Sequence, residues 1–157
     1  MIELAFTIFP FFALLFAFID FGMAIFISTT LQNAVREGCR YAITFQTGAG
    51  GGVGQDASIK NVVAQYSMGF VSATAVPAQV VINYYTQGAP NTVVSGVGSN
   101  APNNIVEVKV QNYQWRWLAP ISGNIFAPSR DTTPLSFNVS SFDVMGGYPF
   151  GVTGVAR

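Results

Sequence analysis

Residues 4–27 read LAFTIFPFFALLFAFIDFGMAIFI, and only Thr7 and Asp20 in that run carry polar side chains. As a helix the run spans about 36 Å, more than the ~30 Å hydrocarbon core of a bilayer. Eight of the chain's 14 Phe lie within it. A secretory signal peptide fits poorly, because the apolar run is too long and no basic segment precedes it. A helix apolar on every side must be covered on every side, and a chain of 157 residues has little to cover it with.

After Ile27 the pattern changes but stays helical. Leu31, Val35, Cys39, Ala42 and Ile43 recur at three- and four-residue spacing, with Asn33, Arg36, Glu37, Arg40 and Thr44 on the opposite face. The spacing predicts one continuous helix from about Ile2 to Phe45, roughly 65 Å long, apolar all round in its first half and amphipathic in its second. Pro10 within it removes a backbone hydrogen bond and favours a bend, and Gly22 adds a second soft point. Gly48–Gly54 (GAGGGVG) ends the helix as a flexible linker. It is no phosphate loop: no Lys-Ser/Thr follows and the GxGxxG spacing fails.

A second helix is expected over Ala57–Phe70, capped by Asp56, with Ile59, Val62, Val63, Tyr66 and Phe70 on one face. Beyond Pro77 the periodicity is that of strands: Ala78–Tyr85, then Ile105–Trp117, then Leu135–Met145 with a break at Ser140–Ser141. In Ile105–Trp117, Val106, Val108 and Val110 point one way and Glu107, Lys109 and Gln111 the other, towards solvent. Gln87–Asn104 reads as loop, and Gly146–Arg157 as an extended tail. The expected class is α+β: a long N-terminal helix over 1–46, a Gly-rich linker over 47–56, and a small antiparallel β-sheet domain with one short helix over 57–157.

Composition excludes several functions. Seven Lys plus Arg balance seven Asp plus Glu, so no basic face exists for nucleic acid. There is no His and one Cys, which rules out an intrachain disulfide, a His/Cys zinc site and every His-dependent triad. Glu107, Asp131 and Asp143 lie in separate segments with no motif joining them, so acid–base catalysis has no support. The chain reads as structural, not enzymatic, and needs no cofactor.

Two acids stand out. Glu3 opens the apolar helix, where it gains from the helix dipole or pairs with a charged group on another subunit, such as a chain N-terminal amine. Asp20 lies well inside the apolar segment, at a cost of roughly 2.5–3.5 kcal/mol on insertion scales, and marks a pairing site between subunits or the polar boundary. Arg36, Glu37 and Arg40 form a solvated face, and Cys39 is a small buried hydrophobe. Trp115 and Trp117 share a strand face as core, interface anchors or interfacial aromatics. Asn138-Val139-Ser140 is a lone glycosylation sequon. Arg36 and Arg40 follow the apolar run with no basic residue before it. By the positive-inside rule alone, the β region would be cytoplasmic, yet its neutral Gly/Asn/Ser/Thr-rich composition reads as secreted. Both are satisfied if a basic leader preceded Met1 and was removed.

An acid followed by Ala-Phe and a Pro-interrupted apolar run, then Ile19-Asp20-Phe21-Gly22, then Leu31-Gln32-Asn33-Ala34-Val35-Arg36-Glu37-Gly38-Cys39-Arg40-Tyr41-Ala42, closely resemble the TadE-like proteins of tight-adherence pilus systems. The resemblance covers about the first 45 residues, and Met23 stands where the family often has Arg. It implies a pilin-like fold, a leader cut by a prepilin peptidase, and a C-terminal domain outside the cytoplasmic membrane. It also implies that Glu3 neutralises a neighbour's N-terminus during assembly and that Asp20 is the acid preceding Phe-Gly. The expected function is a structural subunit of an extracellular type IV pilus-like filament on a bacterial surface. Copies of the chain would pack through Phe6, Phe9, Pro10, Phe12 and Phe16, serving first as an anchor in the inner membrane. The alternative is a minor pseudopilin or single-pass membrane component of the pilus assembly machinery that never polymerises.

Overall fold

A computed structural model describes residues 2–51, 54–115 and 134–157. Helix α1 runs unbroken over Ile2–Ile43, straight through Pro10. Hydroxyls within the helix bond back to it: Thr7 Oγ1 donates to the Glu3 carbonyl at 3.0 Å, and Thr29 Oγ1 to the Ile25 and Phe26 carbonyls, both at 3.0 Å. The helix stops two residues before the expected Phe45. Phe45 takes a left-handed backbone (φ 55°) and turns its ring inward onto Tyr148, 4.7 Å between centroids.

Helix α2 covers Gln55–Tyr66. Its N-cap is Gly54, not Asp56, and no side chain caps it. Gly54 has φ 86°, and any β-carbon there would collide with the backbone of Arg157, so two separate constraints demand glycine. The described part of the glycine segment is held against α2: Ser58 Oγ accepts from the Gly48 amide at 2.8 Å, and Asn61 Nδ2 donates to the Ala49 carbonyl at 2.9 Å. α2 ends at Tyr66, short of Phe70, because Ser67 caps it and Met68 and Gly69 adopt left-handed backbones.

Four strands follow: β1 Val80–Thr86, β2 Ala89–Val94, β3 Ile105–Trp115 and β4 Leu135–Val144. They form one antiparallel sheet in the order β2-β1-β3-β4. The fold is the expected α+β, pilin-like arrangement, with three corrections. The expected loop over 87–104 contains β2, an edge strand whose Pro90 needs no ladder partner. β4 is continuous through Ser140 and Ser141, which pair with Lys109 and Val108. The irregularity lies instead in β3, where the register shifts between Val110 and Tyr113 and Asn112 sits at φ 60°. That bulge changes the phase of alternation, so Tyr113 joins Val106, Val108 and Val110 on the inner face. Trp117 lies outside the described residues.

The core forms where α1 crosses the inner face of the sheet. Ile27, Leu31, Ala34, Val35, Cys39 and Ala42 of α1 meet Val80, Ile82, Tyr84, Val106, Val108 and Val110, with Ile59 and Val63 of α2 closing the side. Gly38 sets the approach: a β-carbon there would stand 2.6 Å from Val63 Cγ2 and 3.3 Å from Val108 Cγ1. Gly38→Val is therefore expected to destabilise the body by about 1–3 kcal/mol through overpacking. Thermal melting of the full chain in detergent micelles checks this; an unchanged midpoint would refute the close crossing.

Candidate assembly interface

From Glu3 to Ile19 no described side chain of α1 is buried. Phe6 is 79% exposed and Phe16, the least exposed of the expected contact Phe residues, still 38%. Phe9, Pro10 and Phe12 are exposed too, as are Leu4, Ile8, Phe11, Leu14 and Phe18. Along the rod Phe11 meets Phe12 edge-on and Phe12 stacks with Phe16, with centroids 5.7 and 6.2 Å apart. The 18 residues before Asp20 make a free apolar rod about 27 Å long, close to the ~30 Å of a bilayer core. α1 is long and apolar enough to cross a membrane.

Asp20 is where the body begins. It is 1% exposed within its own chain and heads the stripe continued by Ala24, Ile27, Leu31, Val35, Cys39 and Ala42. Glu3 lies at the far, exposed end of the rod. The structure therefore separates the two acids by the length of the rod.

The motif residues divide between two faces. Arg36 and Arg40 are exposed, Glu37 and Tyr41 half-buried, Gly38 and Cys39 buried. Cys39 Sγ donates to the Ser141 carbonyl at 3.1 Å, tying α1 to the edge strand β4. The charged members thus face outward and the small ones make the helix–sheet contact.

A second cluster escaped sequence reasoning. Arg157 pairs with Asp56 (Nη2–Oδ2 2.9 Å), donates to Ser99 Oγ at 2.7 Å, and lies over the Tyr84 ring at 4.8 Å. Tyr84 OH donates to Asp56 Oδ1 at 2.7 Å, and the Gln55 amide donates to the Ala156 carbonyl at 2.8 Å. Asp56 is therefore the hub of this clasp. The clasp borders an open groove of about 1070 Å³ lined by Lys60, Asn61, Thr74 and Val97 among others. Spacing gave no signal for it, since Asp56 and Arg157 are 101 residues apart.

Glu107 also departs from expectation. It is on the outer face as alternation requires, but only 7% exposed, because Asn83 Nδ2 (2.8 Å) and Tyr85 OH (2.7 Å) both donate to its Oε2. Asp143 bonds its neighbour's amide, Val144 N, at 2.8 Å, and its strand position pairs with Val106 on the inner face. The two acids do not converge, and Asp131 lies outside the described residues. No group of three metal-ligating side chains comes together among the described residues.

At the end of the body nearest the rod, aromatic rings run in series. Phe26 meets Phe70 edge-on (6.0 Å), Phe70 meets Tyr113 (6.1 Å) and Tyr113 meets Phe137 (6.2 Å). Trp115 pairs with Leu135 one step further along, and its indole N–H is buried without an acceptor among the described residues.

Three phenols are held neutral by the fold. Burial pushes Tyr84 far above the ordinary tyrosine range, and its bond to Asp56 adds to this while Arg157 opposes it. The bond to Glu107 raises Tyr85, and burial raises Tyr113. The unfolded chain releases these protons near pH 10, so stability is full below that pH and falls as pH rises beyond it. Melting curves across the alkaline range check this, and Tyr84→Phe is expected to flatten the decline.

Residues 1–40 match the sequence model of the TadE-like protein family, the family that the helix residues resemble. The match ends at Arg40, so it takes in the free rod, Asp20 and most of the stripe that docks the sheet. The family is a structural one associated with the Tad pilus. Neither a curated protein nor a solved structure matches the chain.

Proposed function

We propose that this chain is a structural subunit of a Tad-like, type IV pilus-like filament and polymerises through the first half of α1. One observation carries the reading: a rod of about 18 helical residues exposes apolar side chains all round, and such a surface needs either lipid or other copies of itself. The rod is an anchor in the inner membrane before assembly and packs against neighbouring rods afterwards, with the sheet bodies outside. Repeated without closure, that heterologous contact makes a helical filament. In this reading prepilin peptidase removes a leader, the assembly machinery extracts the subunit, and the finished filament is extracellular. The second reading is a minor pseudopilin or single-pass component of the same machine, and the TadE-like match favours it equally.

Glu3 is the proposed assembly acid. It is exposed at the tip of the rod, away from the body's core, and in a packed bundle it faces a neighbour's N-terminal amine. Truncating one partner of such a desolvated charge pair costs about 2–5 kcal/mol. Glu3→Ala is expected to abolish filaments while leaving the melting of the body unchanged. Asp20→Ala, at a position buried within the chain, is expected to lower both. Electron microscopy of sheared cell-surface material, with mass spectrometry of the chain's N-terminus, decides between the readings. Abundant filaments composed mainly of this chain establish the major subunit. The chain found only in membranes establishes the minor component. Normal filaments from Glu3→Ala overturn the charge pairing.

A further inference from the structure

We infer that the end of the body nearest the rod is a membrane-contact surface, seated in the headgroup layer of a phospholipid bilayer through Phe26, Phe70, Tyr113 and Trp115. The inference rests on reading the rod as a membrane anchor.

Contacts along α1 fix which end this is. Ala42 of α1 receives the Gln55 side chain, Cys39 bonds Ser141, and Gly146 lies against Ile43, so these mark the far end. Phe26 touches Phe70, which touches Tyr113; these mark the near end. The free rod of about 27 Å is about 3 Å short of the ~30 Å core, so Phe26, six residues or about 9 Å past Asp20, stands about 6 Å beyond the core. The headgroup layer is about 5–7 Å thick on each side. The aromatic series therefore falls at the depth where Trp and Tyr concentrate in membrane proteins.

Charge follows the same division. Residues 21–35, 67–80, 110–115 and 134–139, which build the near end, contain no Asp, Glu, Lys or Arg. Among the described residues beyond Asp20, Arg36 stands at the boundary, beside Ser28, Gln32 and Ser136–Ser140, and the other charged side chains belong to the far half: Glu37, Arg40, Asp56, Lys60 and Arg157 on the helices and the clasp, with Glu107, Lys109 and Asp143 on the strands. Serine, threonine, asparagine and glutamine fill the near end between the rings. Uncharged polar groups and half-buried aromatics suit a headgroup layer, whereas a surface facing bulk water normally carries charge.

Native fluorescence tests this in the full chain. Trp115 and Trp117 are the only tryptophans; Trp115 reports the near end without a label, and the Trp117→Phe variant isolates its signal. The chain is reconstituted in phosphatidylcholine–phosphatidylglycerol vesicles whose lipids carry bromine either just below the headgroup or deep in the acyl chain. Two labelled variants serve as references: Phe9→Cys in the rod and Val97→Cys on the groove beside Arg157, with the buried Cys39 left unlabelled. The expected result is tryptophan quenching about twofold or more greater with shallow than with deep bromine, the depth order of an interfacial aromatic. The dye at position 9 shows the reverse order and the dye at position 97 is unquenched. Unquenched tryptophans beside a quenched position 9 overturn the contact surface and leave the anchor standing. So does protection of the tryptophans that grows with protein-to-lipid ratio, which assigns the surface to a second copy. Position 9 unquenched at either depth removes the anchor and the contact surface together.

Discussion

The body of this protein is built on one stripe of one helix. From Asp20 to Ala42, every third or fourth residue of α1 is buried, and among the described residues the sheet and α2 have no other surface of comparable length to pack on. Gly38 is the tightest point of that contact, bringing the helix backbone to the methyl groups of Val63 and Val108. Because Arg36 and Arg40 lie on the opposite face, the helix can hold the sheet on one side and leave its charges in water. The same helix, one turn before Asp20, has no buried face. It therefore passes from one surrounding to another without a break in its hydrogen bonding, which is why a rod and a body can be rigidly joined.

This division explains how much was readable from the residues. A helix announces itself locally, through the 3.6-residue period and its switch from wholly apolar to amphipathic, so α1 and its two halves were legible almost to the residue. Exposure of Phe6, Phe9, Phe12 and Phe16 followed from the lack of enough chain to cover them. The strands were legible where β-branched residues alternate, in β1, β3 and β4. β2 was not, since Gly88, Pro90 and Asn91 suppress the local signal and its pairing with β1 supplies the structure instead. The bulge at Asn112 was hidden because alternation carries no marker for a phase change. Residues 116–133, including Trp117 and Asp131, lie outside what the structure describes.

The polar residues were the hardest to place, and for one reason. A side chain's partner is set by tertiary proximity, and sequence gives only its neighbours. Asp56 looked like a helix cap because it precedes an apolar period; its real partners, Tyr84 and Arg157, are 28 and 101 residues away. Glu107 sits on the outer face as alternation demanded, yet Asn83 and Tyr85 from the adjoining strand cover it. Asp20 was recognisable as an anomaly within an apolar run, but its burial by the chain's own body is a property of the folded whole.

The link between Cys39 and Ser141 spans 102 residues. A ribosome adding about 5–20 residues per second needs about 5–20 s to make that stretch. During synthesis, then, the stripe from Ile27 to Ala42 emerges many seconds before β4, the strand that covers its outer edge. An apolar helix face without its sheet is open to any other apolar surface. The order of synthesis thus leaves the docking stripe uncovered for seconds before the chain's own sheet can close over it.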